Sequence, residues 1–309
     1  MTRIVLNRFI TGLFVILSVI TITFFLLRIL PGGPFDLEKK LPPQIQKNIE
    51  AKYNLDQPVW KQYVLYLKDL VRGDFGPSYK YVDRSVNEII GETLPVSFEL
   101  GIVALLLSIL IGLSAGVISF ISSKGILDYI SVTFSTVLVS VPSFVVGAVL
   151  IYFFSIKLKW FPAALWGGFD YIVLPALTLA AGPAAYIARL VRASMLDISN
   201  ENFVRTARAK GLGEFTVVTK HILFNAFIPV ITVLGPITAF LVTGSFVVEH
   251  IFAIPGIGRF FVQAVTNRDY PLVMGITIVY SVILVLANFL VDICYVMLDP
   301  RIKFERTKS

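Results

Sequence analysis

Six long stretches without a charged residue or a histidine constrain this chain more than any other feature. They contain 18 to 28 residues each, and a helix needs roughly 17–25 apolar residues to cross the hydrocarbon core of a membrane. Membrane-spanning barrel strands are only about 9–11 residues long, so these lengths favour helices. The sequence therefore predicts six transmembrane helices, at Phe9–Leu27, Leu100–Ile121, Tyr129–Ile156, Tyr171–Ala188, Ile222–Val248 and Pro271–Val291.

The composition excludes both a water-soluble globular chain and a disordered one. Hydrophobic residues make up 56% of the chain and charged residues 15%, against about 45–50% and about 25% in soluble domains. Disorder requires low hydrophobicity and high net charge. The single cysteine, Cys294, allows no intrachain disulfide and no cysteine zinc cluster. We expect an all-α polytopic membrane helix bundle with no catalytic and no metal-ligating residues.

The basic residues predict how the bundle is oriented. If the chain crosses the membrane six times, 13 of its 27 Lys and Arg residues lie on one side, together with six acidic residues. That side therefore carries the whole net charge of +7. By the positive-inside rule it is cytoplasmic, which places both termini in the cytoplasm. Because the charge follows the topology in this way, we expect contact with membrane lipid and no nucleic-acid partner.

The predicted spans divide the chain into four parts. Residues 1–30 form the N-terminus and first transmembrane helix, and 31–94 form an extracytoplasmic helical segment. Residues 95–298 form a core of five helices with a cytoplasmic loop at about 193–221, and 299–309 form a cytoplasmic tail. The first apolar run is long for a signal peptide and lacks a small-residue cleavage site, so it is interpreted as a retained span.

The extracytoplasmic segment contains two amphipathic helical patterns. Pro43 can start the first, and Pro58 occupies a favoured first position for the second. Gly73 can end the second helix. The segment is too small to hold much core alone, so we expect it to pack on the helix bundle.

The cytoplasmic loop contains a short helix that cannot span the membrane. Ser199 and Asn200 are good helix caps, and Gly211 suits the position just after a helix, which predicts a helix over about Glu201–Lys210. One interpretation is an amphipathic helix lying on anionic lipid. The other is a docking helix whose Phe203, on one stripe with Ala207 and Lys210, fills a pocket on a partner. The residues alone leave both open.

The same loop carries a family resemblance. The string at 202–212, followed by His221–Ala226 and Pro229, resembles the EAA loop of ATP-binding-cassette importer permeases, closest to the dipeptide/oligopeptide branch. Within that branch the chain resembles the first, B-type, oligopeptide permease subunit. The agreement extends along nearly the whole length through Pro31–Phe35, Gly73–Ser78, Thr243–Glu249, Ile254–Gly258, Asn267–Tyr270 and Asp299–Arg301.

The resemblance implies a permease subunit of an ATP-driven importer in the bacterial cytoplasmic (inner) membrane. Such a subunit forms half of the translocation path for oligopeptides beside a second homologous permease subunit. Two cytoplasmic ATPase subunits bind ATP and Mg, this chain carries no cofactor, and an extracytoplasmic peptide-binding protein delivers the peptide. Permeases for dipeptides and nickel chelates share these motifs and stay as alternatives. The coupling-helix residues implied to dock on the ATPase are Glu201, Phe203, Val204, Arg205, Thr206, Ala207, Arg208, Ala209, Lys210, Gly211 and Leu212.

Three ionisable residues are candidates for the translocation path or its gate. Glu249 and His250 end the fifth span. The alternative interpretation is that they are two ordinary interfacial residues at a helix end. Asp292 lies inside the sixth span, where an acid usually faces protein or water, and a salt bridge with the tail is the alternative. A self-contained secondary transporter would need more such groups. The sequence also lacks a phosphate-binding loop and hydrolase motifs, so we expect neither an ATPase nor another enzyme.

Overall fold

The computed structural model describes residues 2–30, 51, 53–81 and 83–298. Among them, side chains are described only for residues between positions 6 and 293. Within these residues the chain is helical and has no strand, apart from an isolated bridge between Pro77 and Ser85. The all-α prediction is confirmed. The motif at 31–35, the helix predicted from Pro43 and the tail 299–309 lie outside the described residues.

The α-helices of the described residues are α1 (Thr2–Ile29), α2 (Val59–Val71), α3 (Val86–Ile121), α4 (Ile126–Ser140), α5 (Ser143–Leu150), α6 (Phe169–Ser199), α7 (Asn202–Ala209), α8 (Glu214–Thr216), α9 (Phe224–Val242), α10 (Phe246–Ile251), α11 (Ile257–Asn267) and α12 (Tyr270–Leu298).

Five helical segments of the described chain are long and apolar enough to cross a membrane. They are Leu6–Ile29, Val86–Ile121, Phe169–Ser199, Glu214–Ile251 and Tyr270–Ile293. A sixth crossing results if α4 and the following Ser143–Lys157 segment count as one broken span. The chain is therefore a polytopic helix bundle, and the predicted number of six depends on that broken span.

The broken span has a local cause. Its two halves are bent by 111° where Val141 and Pro142 separate them. Val141 has φ −84° and ψ 127°, the extended conformation that a residue before proline prefers. The helix therefore ends at Ser140 and restarts in a new direction after the proline. A π-helical turn, Ile151–Lys157, completes the second half.

The chain divides into two compact units. Among the described residues, the first comprises those within Met1–Val96 and Gly256–Val285, and the second comprises those within Ser97–Pro255 and Leu286–Ser309. The first unit has an apolar core that includes the fully buried side chains of Phe24, Ile89, Ile257 and Leu272. The segment after α2 is fixed to this core because the buried Asp269 carboxylate accepts hydrogen bonds from the Ser78 hydroxyl and the Tyr79 N–H.

The amphipathic helix predicted after Pro58 is α2. It begins at Val59, directly after Pro58, and ends at Val71. Gly73 has φ +78°, and the next residue donates its N–H to the Asp69 carbonyl oxygen, so the predicted glycine terminator is confirmed. The following helix, α3, begins at Val86, which lies inside the range predicted to be extracytoplasmic.

Close contact between α3 and α6 organises the second unit. A Cβ on Gly112 would lie 2.6 Å from the Ala184 carbonyl oxygen, and one on Gly116 would lie 2.7 Å from the Ala188 carbonyl oxygen. Both glycines therefore pack directly on the backbone of α6. Small residues four positions apart on both helices allow this approach, as in many membrane helix pairs.

Candidate docking site

The short helix α7 presents two different faces. Val204 and Ala207 are buried, with 0% and 5% of their surface exposed. They pack in an apolar cluster with α6 and with the π-helical segment Val217–Leu223, which follows α8 and continues into α9, through residues that include Val191, Met195 and Ile222. We call Val204 and Ala207 the seat of α7. The seat attaches α7 to the long helices on either side of it in the sequence.

The rest of the surface of α7 is exposed. Phe203 leaves 44% of its surface uncovered. We call this surface, with its three cations, the outer face of α7; it consists of Phe203, Arg205, Thr206, Arg208, Ala209 and Lys210. Of the stripe predicted to join Phe203, Ala207 and Lys210, Ala207 is therefore buried in the chain's own core, whereas Phe203 and Lys210 stay exposed beside it.

The start of α7 also differs from the predicted cap. The helix begins after Glu201, whose carbonyl oxygen accepts the N–H groups of Val204 and Arg205. Ser199 and Asn200 instead donate their side-chain hydrogen bonds to the carbonyl oxygen of Leu196. Their side chains therefore close the end of α6 and do not cap α7.

The end of α7 is a Schellman motif, as the position of Gly211 predicted. Gly211 has φ +80°, its N–H donates to the Arg208 carbonyl oxygen at 2.9 Å, and the Leu212 N–H donates to the Ala207 carbonyl oxygen at 3.3 Å. Leu212 stays 41% exposed. The left-handed turn directs the chain from α7 into the next helical segment.

Gly211 provides a test of this turn. A Cβ there would meet no atom within 4 Å, so the cost of substitution is the left-handed backbone alone, about 1–2 kcal/mol for a β-branched residue. We expect Gly211→Val to lower the unfolding temperature of the purified chain in mild detergent. Gly211→Asn should nearly retain it, because asparagine tolerates this conformation. Equal values for the two variants would contradict a left-handed turn at Gly211.

An ion pair joins α7 to the segment that follows it. Arg208 donates to Glu214 from Nε at 3.1 Å and from Nη2 at 2.6 Å. The carboxylate raises the pKa of Arg208 above its ordinary value through this hydrogen bond. Both side chains are largely exposed, so the pair orients α7 more than it stabilises the fold.

A nearly buried ion pair in the second unit was not predicted from the sequence. Asp128, only 4% exposed, accepts two hydrogen bonds from the Arg192 guanidinium at 2.6 and 2.8 Å. It also accepts the Ser119 hydroxyl and, at 2.9 Å, the Lys124 N–H. This carboxylate therefore connects α3, α4 and α6. An acid at the start of one apolar run and an arginine near the end of another are the only sequence signals for the pair.

The three candidate path residues lie in different environments. Glu249 is fully buried and accepts the Ser97 hydroxyl at 2.7 Å, so it is not an exposed interfacial residue. His250 is exposed and stacks on the ring of Phe246 with 5.6 Å between ring centroids. Asp292 is half-buried in α12. The structure therefore does not bring Glu249 and His250 together as a pair.

The backbone break before Glu249 explains how the acid reaches the interior. Helix α9 ends at Val242, and Gly244 has φ +82° before the chain resumes helical geometry in α10. A side chain at Gly244 would collide with the Glu249 carboxylate and the Ser97 side chain. Glycine at this break therefore leaves the space that the buried carboxylate occupies.

Two protein-family models together match almost the whole chain. Residues 108–304 match the family described as the binding-protein-dependent transport system inner membrane component. Residues 1–100 match the family that describes the N-terminal part of such membrane components.

Full-length relatives and solved structures agree with these matches. The chain is 46% identical over 306 residues to the dipeptide transport system permease protein DppB of Bacillus subtilis, covering 99% of both chains. It is 44% identical to the oligopeptide transport system permease protein OppB of Haemophilus influenzae, covering 98% of this chain and 100% of that one. A structure of the MetNI methionine ABC transporter in an inward-facing conformation matches 68% of this chain and 96% of its own, with TM-score 0.54 and 19% identity. This last likeness supports the fold alone.

Proposed function

Because this chain belongs to the family of binding-protein-dependent transport system inner membrane components, we propose that it is a permease subunit of an ATP-driven peptide importer. Its relatives named for dipeptide and oligopeptide transport align over their whole length, which supports a peptide as cargo. It forms half of the translocation path for oligopeptides, with dipeptides or nickel chelates as alternative cargo. It is a transport protein and not an enzyme.

The proposed importer contains further subunits. A second homologous permease completes the path, two cytoplasmic ATPases bind ATP and Mg, and an extracytoplasmic binding protein delivers the peptide. The dependence on a binding protein is part of the family's description. The excess of basic residues around α7 supports an orientation with this helix and both termini in the cytoplasm of a bacterial inner membrane.

The observation that carries the coupling proposal is the division of α7 into a seat and an outer face. Val204 and Ala207 join α7 to the apolar cluster that contains Met195 of α6 and Ile222 of the following segment. Interiors are close-packed and transmit displacement. A partner that holds the outer face would therefore move two long helices when it moves α7. Glu249 and Asp292 are proposed to line the path or its gate.

The chemistry of the outer face defines the groove that it fits. Phe203 projects from a surface that carries Arg205, Arg208 and Lys210. An apolar pocket with an acidic rim on the ATPase is complementary to it. A surface of anionic lipid is the competing partner for the same basic amphipathic helix.

Replacing Phe203 with alanine tests the docking proposal. Truncating a central aromatic anchor costs about 2 kcal/mol or more of binding free energy, so ATPase binding should weaken about 30-fold. We expect Phe203→Ala to reach the membrane in normal amounts, to lose ATPase during purification of the tagged importer, and to lose peptide uptake in reconstituted vesicles. Phe169→Ala is the matched control, since Phe169 is also exposed and lies at the far end of α6.

The two partners give different results in this experiment. Normal ATPase recovery and uptake with Phe203→Ala would contradict docking through α7. If that variant instead showed weaker binding of the α7 peptide to anionic vesicles and unchanged ATPase recovery, lipid would be the partner of the outer face. Loss of ATPase in both Phe203→Ala and Phe169→Ala would indicate a general folding defect, and α7 would not be the specific docking element.

A further inference from the structure

The first unit contains a cavity that the transport proposal does not use. Its volume is about 160 Å³, and it lies among the end of α1, α2, the segment after α2 and the start of α12. Aromatic rings form much of its wall, and four non-aromatic polar side chains also line it. Its lining includes Phe24, Arg28, Gln62, Tyr66, Asp69 and Tyr79.

Arg28 provides a cation at this cavity. Its guanidinium carbon lies 3.4 Å from the centroid of the Phe24 ring. Of its five N–H groups, Nε donates to Gln62 Oε1 at 3.0 Å and one Nη1 group donates to the Phe24 carbonyl oxygen at 3.2 Å. Among the residues that the structure describes, no acidic side chain forms an ion pair with Arg28. A partly buried cation of this kind favours an anionic ligand.

Tyr66 supplies a hydrogen-bond donor at the same place. Its hydroxyl oxygen is buried and has no hydrogen-bond partner among the described residues. Burial raises the pKa of Tyr66 above its ordinary value and raises the pKa of Tyr79 to about 12. Both phenols therefore stay protonated in neutral solution. An unpartnered buried donor is costly, and a ligand oxygen would satisfy it.

The size and charge of the cavity restrict the ligand further. A cavity of about 150 Å³ holds one benzene molecule, so the 160 Å³ available here holds about one side chain, and any further part of a ligand would lie outside it. The Asp69 carboxylate is exposed and also lines the cavity. It repels a doubly charged phosphate more than a singly charged carboxylate. These features favour an apolar group that carries one carboxylate.

We propose that this cavity binds the C-terminal residue of a short peptide. Arg28 pairs with the terminal carboxylate, the Tyr66 hydroxyl donates to the same group, and the aromatic wall holds an apolar side chain. Arginine and carboxylate form strong charge-assisted hydrogen bonds. The proposed function enters only through the choice of a peptide as the source of the carboxylate.

The test is a binding titration on the full chain in phosphatidylcholine nanodiscs, without partners or nucleotide. The probes are alanyl-4-fluorophenylalanine and its C-terminal amide, followed by fluorine NMR. We expect Arg28→Gln to weaken binding of the acid at least about tenfold and Tyr66→Phe to weaken it about fivefold. The amide should bind weakly to the native chain and lose little more in Arg28→Gln. Lys68→Gln, an exposed change of equal charge on α2, should leave the affinity unchanged.

Three results would overturn the proposal. They are equal binding of acid and amide, an equal loss in Lys68→Gln, and displacement of the probe by inorganic phosphate or by phosphatidylglycerol in the disc, which would assign Arg28 to a phosphate. If Arg28→Gln fails to fold, the affinity of Tyr66→Phe for the acid still tests the proposal. This change removes a hydroxyl that bonds to no described residue, so the fold should tolerate it. The titration needs no transport, so loss of uptake and loss of this binding are separate outcomes.

Discussion

Replacing Gly116 with alanine or leucine is expected to separate α3 from α6 and to unfold the second unit at lower temperature. Any Cβ at this position would lie 2.7 Å from the Ala188 carbonyl oxygen and 2.7 Å from Val191 Cβ. Backbone cannot yield as a flexible side chain can, so the helices must move apart. We expect a loss of about 3 kcal/mol in the free energy of unfolding for Gly116→Leu, measured by thermal unfolding in mild detergent.

Gly91 offers a matched control for this prediction. It lies on the same helix, α3, is exposed, and a Cβ there would have no atom within 4 Å. Gly91→Leu should therefore retain or raise the unfolding temperature, because glycine inside a helix costs up to about 1 kcal/mol. A Gly116→Leu variant as stable as Gly91→Leu would show that α3 and α6 are not in backbone contact.

Removing Arg192 is expected to be the most damaging change of a charged residue in the second unit. In Arg192→Met the nearly buried Asp128 carboxylate loses its counter-charge and keeps only the Ser119 hydroxyl and the Lys124 N–H. Breaking a buried ion pair costs about 3–5 kcal/mol. We expect about 3 kcal/mol, because the Arg192 side chain itself is 28% exposed.

A double-mutant cycle separates the pair from its surroundings. Asp128→Asn with Arg192→Met should cost less than the sum of the two single changes, because the double variant leaves no uncompensated charge. Arg208→Met is the control, since its ion pair has the same 2.6 Å distance but exposed partners, and we expect no measurable change in unfolding temperature. Additive effects at Asp128 and Arg192 would contradict the ion pair.

These two features matter to the transport proposal because both act on α6. The glycine contacts fix α3 against α6, and Asp128 fixes Arg192 near the end of α6 that leads into α7. A displacement of α7 would therefore reach the rest of the second unit through rigid contacts. Variants at Gly116 and Arg192 that still fold should for this reason transport peptide poorly.

Local patterns were sufficient for much of this protein. Charge-free runs specify helices that satisfy their own backbone hydrogen bonds in lipid. The third run, Tyr129–Ile156, contains Pro142, at which the helix breaks. Gly73 and Gly211 end helices because they adopt left-handed backbone conformations at little cost. The string at 202–212, together with the other motifs along the chain, indicated the family that the comparisons then showed.

Only the tertiary structure decided which side chains face which neighbours. Phe203 and Val204 are adjacent apolar residues, and their order in the sequence does not specify which of them is buried. Val204 is buried in the apolar cluster that includes Met195 and Ile222, and Phe203 stays outside it. The Asp128–Arg192 pair and the burial of Glu249 against Ser97 join residues far apart in the sequence. Helix periodicity specifies that a helix has two faces, but the direction of each face depends on packing against distant elements.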